Sequence, residues 1–188
     1  YLTLDQSYAA RPDFEGAKWV LSPPLRTKAD QEALWQGLAD GRIDTLGTDH
    51  CPFDFHDQKT MGRGDFTKIP NGIAGVEERM ALAYTAGVVG GRITLERLVQ
   101  VAAENPAKIF GLWGRKGGIA PGFDADLVVW DPAARRTISV QTQSLDTDYN
   151  PYEGFAVQGA PEVVTVRGAI MVRNGRFCGP AGKGRLLM

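Results

Sequence analysis

Apolar positions in the first part of the chain switch between short dense runs and helical spacing, the alternation that predicts parallel α/β architecture. Lys18-Trp19-Val20-Leu21-Ser22 reads as a strand, stopped by Pro23-Pro24 because proline cannot donate to a sheet ladder. From Thr27 as N-cap, the next segment puts Ala33, Leu34 and Leu38 on one helix face, with Gly41 as its stop. Ile43 to Gly47 reads as a second short strand. A polar stretch rich in Gly, Asp and Pro follows, from Thr48 to about Gly75, and loops of that length are usually functional or disordered. Helix returns near Val76 and runs towards Gly87. It opens again at Thr94, with Leu95, Leu98, Val99 and Ala102 at helical spacing, and restarts at Asn105-Pro106 with Asn as cap and Pro in the first turn.

After Gly114 the texture changes to strands and turns. Gly117-Gly118 and Pro121-Gly122 are turn signals, and Leu127 to Trp130, Glu162 to Val166 and Ala169 to Phe177 are strand signals. Asn174-Gly175 predicts a type I′ hairpin turn, since both central positions need φ above zero. The expected division is therefore residues 1–115 and residues 116–188.

Composition narrows the function classes. The chain has 188 residues, is 43% apolar and has a formal charge of −1. That is enough apolar material for a packed core, with no basic field to attract nucleic acid or anionic lipid. No apolar run approaches the length of a bilayer span, so no membrane partner is expected. Two cysteines, Cys51 and Cys178, lie far apart without a CxxC pair; this argues against a zinc knuckle or a secreted disulfide framework and for a cytoplasmic setting.

The chemistry concentrates after the second expected strand, at Thr48-Asp49-His50-Cys51-Pro52-Phe53. An acid at the C-terminal end of a buried parallel strand stands at the mouth of a β/α barrel, where it can ligate a divalent metal and accept a proton. Asp49 can equally cap the turn that follows. His50 and His56 are the only histidines, too few for a His-x-His or HExxH ligand set, so His50 is expected to be structural. A Cys51-His50 nucleophile is disfavoured because adjacent residues on extended backbone point to opposite sides. Ser22 closes the first strand, and Asn71-Gly72 closes the long loop. An amide side chain there both donates and accepts, matching a cyclic amide, although an isolated Asn-Gly pair means only a turn. Asp124-Ala125-Asp126 lacks the other ligands of a calcium loop and reads as turn chemistry. There is no GxSxG elbow, P-loop or GxGxxG fingerprint.

Several motifs keep the order and spacing of one family: Ser22 to Arg26, Gly47 to Phe53, Asp65 to Gly72, Val76 to Met80, Asn105 to Lys108 and Asp124 to Pro132. Over nearly its whole length the chain resembles dihydropyrimidinases and D-hydantoinases of the amidohydrolase superfamily. The Asn105-Pro106-Ala107 and Asp124 to Leu127 segments are shared more widely, with dihydroorotases and allantoinases, whereas the stretch from Thr48 to Gly72 is particular to the hydantoinase group.

The resemblance implies the C-terminal part of a TIM-like β/α barrel, its last two strands and helices, followed by a segment of a small β-sandwich. It implies that Asp49 ligates one of two zinc ions and carries a proton from a bridging hydroxide to the leaving ring nitrogen. Ser22 and Asn71 then hydrogen-bond the cyclic amide substrate, largely through main-chain groups. Metal coordination lowers the pKa of water to about 7, which supplies hydroxide at neutral pH. The other metal ligands of such enzymes, a His-x-His pair, a carbamylated lysine and two further histidines, have no counterpart here. The 188 residues alone are thus expected to be inactive. The full-length protein is expected to open hydantoin or dihydropyrimidine rings and, like its relatives, to form a homotetramer. The same fold occurs in non-catalytic cytoskeletal adaptors, but those typically lack the aspartate at the position of Asp49, and they tend to have an acid at that of Asn71. Allantoinase and dihydroorotase activities are the nearest catalytic alternatives.

Overall fold

The computed structural model describes residues 1–187. Its first regular element is one turn, α1 (Gln6–Ala9), whose N-cap Asp5 accepts from Ser7 N. The longest helix, α2 (Lys28–Asp40), begins and ends where the sequence predicts. Thr27 accepts from Asp30 N while the Asp30 carboxylate accepts from Thr27 N, a reciprocal capping box, and Gly41 ends the helix at φ 87°.

The later helices differ from the sequence expectation in where they start and in how they join. α3 (Arg79–Ala83) starts three residues after Val76 and runs on into a π turn, Tyr84–Val89. α4 (Leu95–Val99), capped by Thr94, passes through a second π turn, Gln100–Glu104, into α5 (Asn105–Ile109). Asn105 is therefore not a cap: its backbone is helical, at φ −64° and ψ −43°, and its side chain donates to Asp44 O at 2.9 Å. Pro106 gives the reason for the π turn. It has no N–H for the carbonyl one turn back, and its ring would strike that carbonyl; widening the ladder just before it relieves both faults without ending the helix.

Four antiparallel strands follow in sequence order, β1 (Val128–Thr137), β2 (Ala156–Val166), β3 (Ala169–Arg173) and β4 (Arg176–Phe177). Between Asp131 and Arg135 the β1–β2 register slips, because Pro132 cannot donate to the ladder. Gly159, opposite the slip, has φ +83°, and a Cβ there would lie 2.6 Å from Trp130 Nε1. The β3–β4 turn has Asn174 at φ 50° and Gly175 at φ 73°, the signs a type I′ turn requires.

Helices and sheet share apolar surface. Trp35 and Leu38 of α2 pack with Tyr84, Leu98 and Val101, and Trp130 of β1 lies against this group. Ala81 and Leu82 of α3 bury against Ile138 and Val157. The Thr85 hydroxyl fastens the first π turn to β2, donating to Gln158 O at 3.1 Å and accepting from Gln158 N at 2.9 Å.

The two strands expected at 18–22 and 43–47 are not strands here. Glu15–Trp19 is a 3-10 turn, and the chain is extended only from Val20, whose carbonyl accepts from Gly72 N at 3.1 Å. Ile43 N and Leu46 N donate to helix-region carbonyls, those of Gly37 and Val101. A parallel strand exists by virtue of its neighbours, and among the described residues neither segment has a ladder partner. No helix of the described residues is long and apolar enough to cross a membrane.

Candidate active site

The loop from Thr48 to Gly75 folds back on itself through two 3-10 turns, Lys59–Gly62 and Phe66–Lys68. Gly62 is needed where the turns meet, since a Cβ there would lie 2.1 Å from Ile69 Cγ1. The folded loop brings its two ends together: Cys51 N donates to Ile73 O at 3.1 Å. Gly72, at φ +148°, passes so close that a Cβ would lie 2.5 Å from Cys51 O.

Beside this crossing lies a cavity of about 260 Å³ that Ser22, Asp49 and Asn71 all line. The three residues singled out in the sequence therefore face one space. Ser22 Oγ donates to Asn71 Oδ1 at 3.3 Å. Asp49 is exposed and has φ +48°, a left-handed backbone that costs a non-glycine residue of order 1 kcal/mol or more and tends to occur at functional positions. Among the described residues it is the only acidic side chain on the wall, and Arg79 the only basic one. Arg79 Nη1 donates to Leu46 O at 3.3 Å, and its Nε is buried without a partner. The remaining polar lining is neutral, which suits an uncharged amide better than an ion.

Three further residues escaped the sequence reading. Tyr152 lines the cavity; burial, aided by the charge of Glu78, pushes its phenol up to about 12. Tyr1 lines it too, its phenol raised by burial and then by Asp49. Lys59 has no exposed surface and donates to Val20 O, Pro70 O and Gly72 O at 2.8, 2.7 and 2.8 Å. Burial brings its ammonium down to about 8, with Cys51 opposing the shift. A lysine in a polar loop ordinarily reads as solvated, so nothing local marked it.

His50 is placed as the structural histidine that the sequence suggests. His50 Nδ1 accepts from Gly75 N at 3.0 Å and Val76 N at 3.3 Å, a structural role that ties the two sides of the loop. Asp124 pairs with Lys116 at 2.7 Å and Asp126 pairs with the same ammonium, so this pair is turn chemistry. Among the described residues no three His, Cys, Asp or Glu side chains converge to hold a metal. These residues by themselves do not fit the binuclear centre that the resemblance implies.

Residues 16–171 match the amidohydrolase family. The chain belongs to this family. Within the family it is similar to a D-hydantoinase of Geobacillus stearothermophilus, 52% identical over 98% of this chain and 39% of that protein. The solved D-hydantoinase (dihydropyrimidinase) from a Thermus species superposes with a TM-score of 0.96 at 54% identity, covering 99% of this chain and 40% of that one. An L-hydantoinase (dihydropyrimidinase) from Arthrobacter aurescens is more distant, at TM-score 0.83 and 34% identity over 95% of this chain and 39% of that one. The chain thus spans about two fifths of the length of these relatives.

Proposed function

We propose that the full-length protein hydrolyses a cyclic amide, opening a hydantoin or 5,6-dihydropyrimidine ring to an N-carbamoyl amino acid. The observation that carries this reading is the shared cavity of Asp49, Ser22 and Asn71, with one carboxylate and the Arg79 guanidinium among otherwise neutral hydrogen-bonding groups. The likeness to proteins named D-hydantoinase and dihydropyrimidinase supports the choice of ring.

In this reading the oxygen of water adds to the ring carbonyl carbon and the carbon–nitrogen bond breaks. The Asp49 carboxylate takes the water proton and delivers it to the departing ring nitrogen, which a carboxylate within reach of both atoms can do. Ser22 and Asn71 hold the ring amide through hydrogen bonds. Asp49 is also proposed as one ligand of a binuclear zinc centre whose other ligands lie outside these residues; bound zinc would lower the pKa of the attacking water and polarise the carbonyl.

We read residues 1–115 as part of a TIM-like β/α barrel and residues 116–188 as part of a β-sandwich. The extended segments near Val20 and Leu46 become its last two strands once flanked by barrel neighbours. A homotetramer and a cytoplasmic setting belong to the same proposal. The test is to assay the full-length protein on hydantoin and 5,6-dihydrouracil, following N-carbamoyl product, with and without zinc. Turnover that vanishes on chelation and returns with metal is expected. A metal-replete protein that opens neither ring contradicts the reading.

A further inference from the structure

We infer that Lys59 is the positioning residue of the substrate loop: its ammonium clamps the Ser22 segment and the Asn71 segment together from below, so that both face the cavity as one binding surface. This deepens the proposed function and rests on it for the nature of the ligand.

The argument begins from what a lysine ammonium can do. It has three N–H donors and no acceptor. Here all three are used, on the carbonyls of Val20, Pro70 and Gly72. These acceptors flank the two substrate segments: Val20 stands two residues before Ser22, and Pro70 and Gly72 stand on either side of Asn71. The side chain has no exposed surface, and its hydrogen-bond acceptors are main-chain carbonyls rather than a carboxylate. A buried cation without a counter-charge is costly, and such local expense is found where a site needs it. No uncharged side chain supplies three donors from one atom, so none can join these three carbonyls.

The neighbouring contacts share the task without duplicating it. Gly72 N donates to Val20 O, and Ser22 Oγ reaches Asn71 Oδ1. The first bond uses an acceptor that Lys59 also holds, and the second joins two exposed side chains, which water can replace. Lys59 does not line the cavity and so does not touch substrate; it acts through the backbone.

The experiment compares the full-length wild type with Lys59→Met, which keeps the volume and loses every donor. For hydantoin or dihydrouracil, KM is expected to rise about tenfold or more while kcat stays within about threefold, because ground-state holding is lost and Asp49 is untouched. Amide hydrogen exchange provides a readout that needs no turnover. Protection at Gly72 and Cys51 should fall about tenfold or more, with Leu98 and Val101 unchanged. A folded variant with unchanged KM, or with loosening spread evenly into the Leu98 core, overturns the proposal. If Lys59→Met does not fold, Lys59→Gln, which keeps two donors, is read by the same criteria with smaller changes. If the wild type opens neither ring, the functional reading fails, and the exchange comparison still decides whether Lys59 is the clamp.

Discussion

The Ser22 hydroxyl donates to the Asn71 side-chain oxygen at 3.3 Å across 49 positions of sequence. With that oxygen engaged, the proposed function leaves the Asn71 amide N–H groups for a ligand carbonyl, while the backbone around it is held by Gly72 N on Val20 O. The side chain is thus one contact on a surface made mainly of main chain. Asn71→Ala should therefore lower kcat/KM about fivefold to tenfold, the worth of one neutral hydrogen bond of about 1 kcal/mol. Steady-state kinetics on the ring substrate measures it; a loss of several hundredfold would mean that the side chain, not the backbone, does the binding.

Asp49→Asn should act differently. The amide keeps the size but cannot take up a proton or serve as an anionic ligand, so kcat should fall by a factor of about 10² or more. The fold should stand, because Asp49 is exposed with φ +48°, and Asn is among the residues most tolerant of left-handed backbone. Kinetics paired with thermal unfolding checks both halves: near-normal kcat removes Asp49 from the mechanism, and a large fall in Tm removes the claim that its role is chemical.

How far these residues were legible depends on the range of the interaction that places them. The Thr27 N-cap, the Gly41 stop and the Asn174-Gly175 turn are local and could be read directly. Ser22, Asp49 and Asn71 were legible as a set only through motif order, since no periodicity says that they face one cavity. The segments at Val20 and Leu46 are extended but form no ladder among the described residues, because a strand needs partners that a local pattern does not supply. The π turn before Pro106 was hidden because a proline signal looks the same whether a helix breaks or merely widens. Lys59 was invisible because its burial depends on Val20, which is 39 positions away.

Gly72 gives a steric test of the loop crossing. At φ +148°, with a Cβ position 2.5 Å from Cys51 O, Gly72→Ala must strain the backbone and push Cys51 away. Such a clash against main chain should cost about 1–3 kcal/mol of stability and weaken substrate binding as well. Gly64→Ala is the control for positive φ alone, since at φ +82° it meets nothing within 4 Å. Equal destabilisation of the two variants in denaturant unfolding would show that φ, rather than the approach to Cys51, sets the cost.

The Lys59 ammonium makes a pH prediction with a definite sign. Its pKa drops from 10.5 to about 8 on folding, so between those values the unfolded chain binds more protons than the folded one. Stability must then rise with pH across that window. The gain is on the order of 3 kcal/mol. Below about pH 8 the full burial cost is present; above about 10.5 it is gone. Other groups titrate in this range, so the quantity to follow is the difference between wild type and Lys59→Met in denaturant unfolding at pH 7, 9 and 10.5. That difference should move in favour of the wild type as pH rises, and a flat or falling difference contradicts a buried, proton-destabilised ammonium.

The 188 residues expressed by themselves should neither turn over substrate nor hold two zinc ions. A hydrolytic zinc site uses about three protein ligands per metal, whereas among the described residues no such group forms and Asp49 is the one carboxylate on the cavity wall. One carboxylate fixes neither the metal nor the water it would activate. The same chain leaves large apolar side chains in water, with Phe110 76% and Ile119 88% exposed, which invites association with other copies. Elemental analysis after dialysis, a hydantoin and dihydrouracil assay with added zinc, and light scattering over a concentration series address the three points together. The expected result is substoichiometric metal, no product above background and a mass that grows with concentration. Two tightly held zinc ions per chain, or turnover matching that of the full-length protein, would mean that the missing ligands are not required, and the role proposed for Asp49 as one member of a larger ligand set would have to be abandoned.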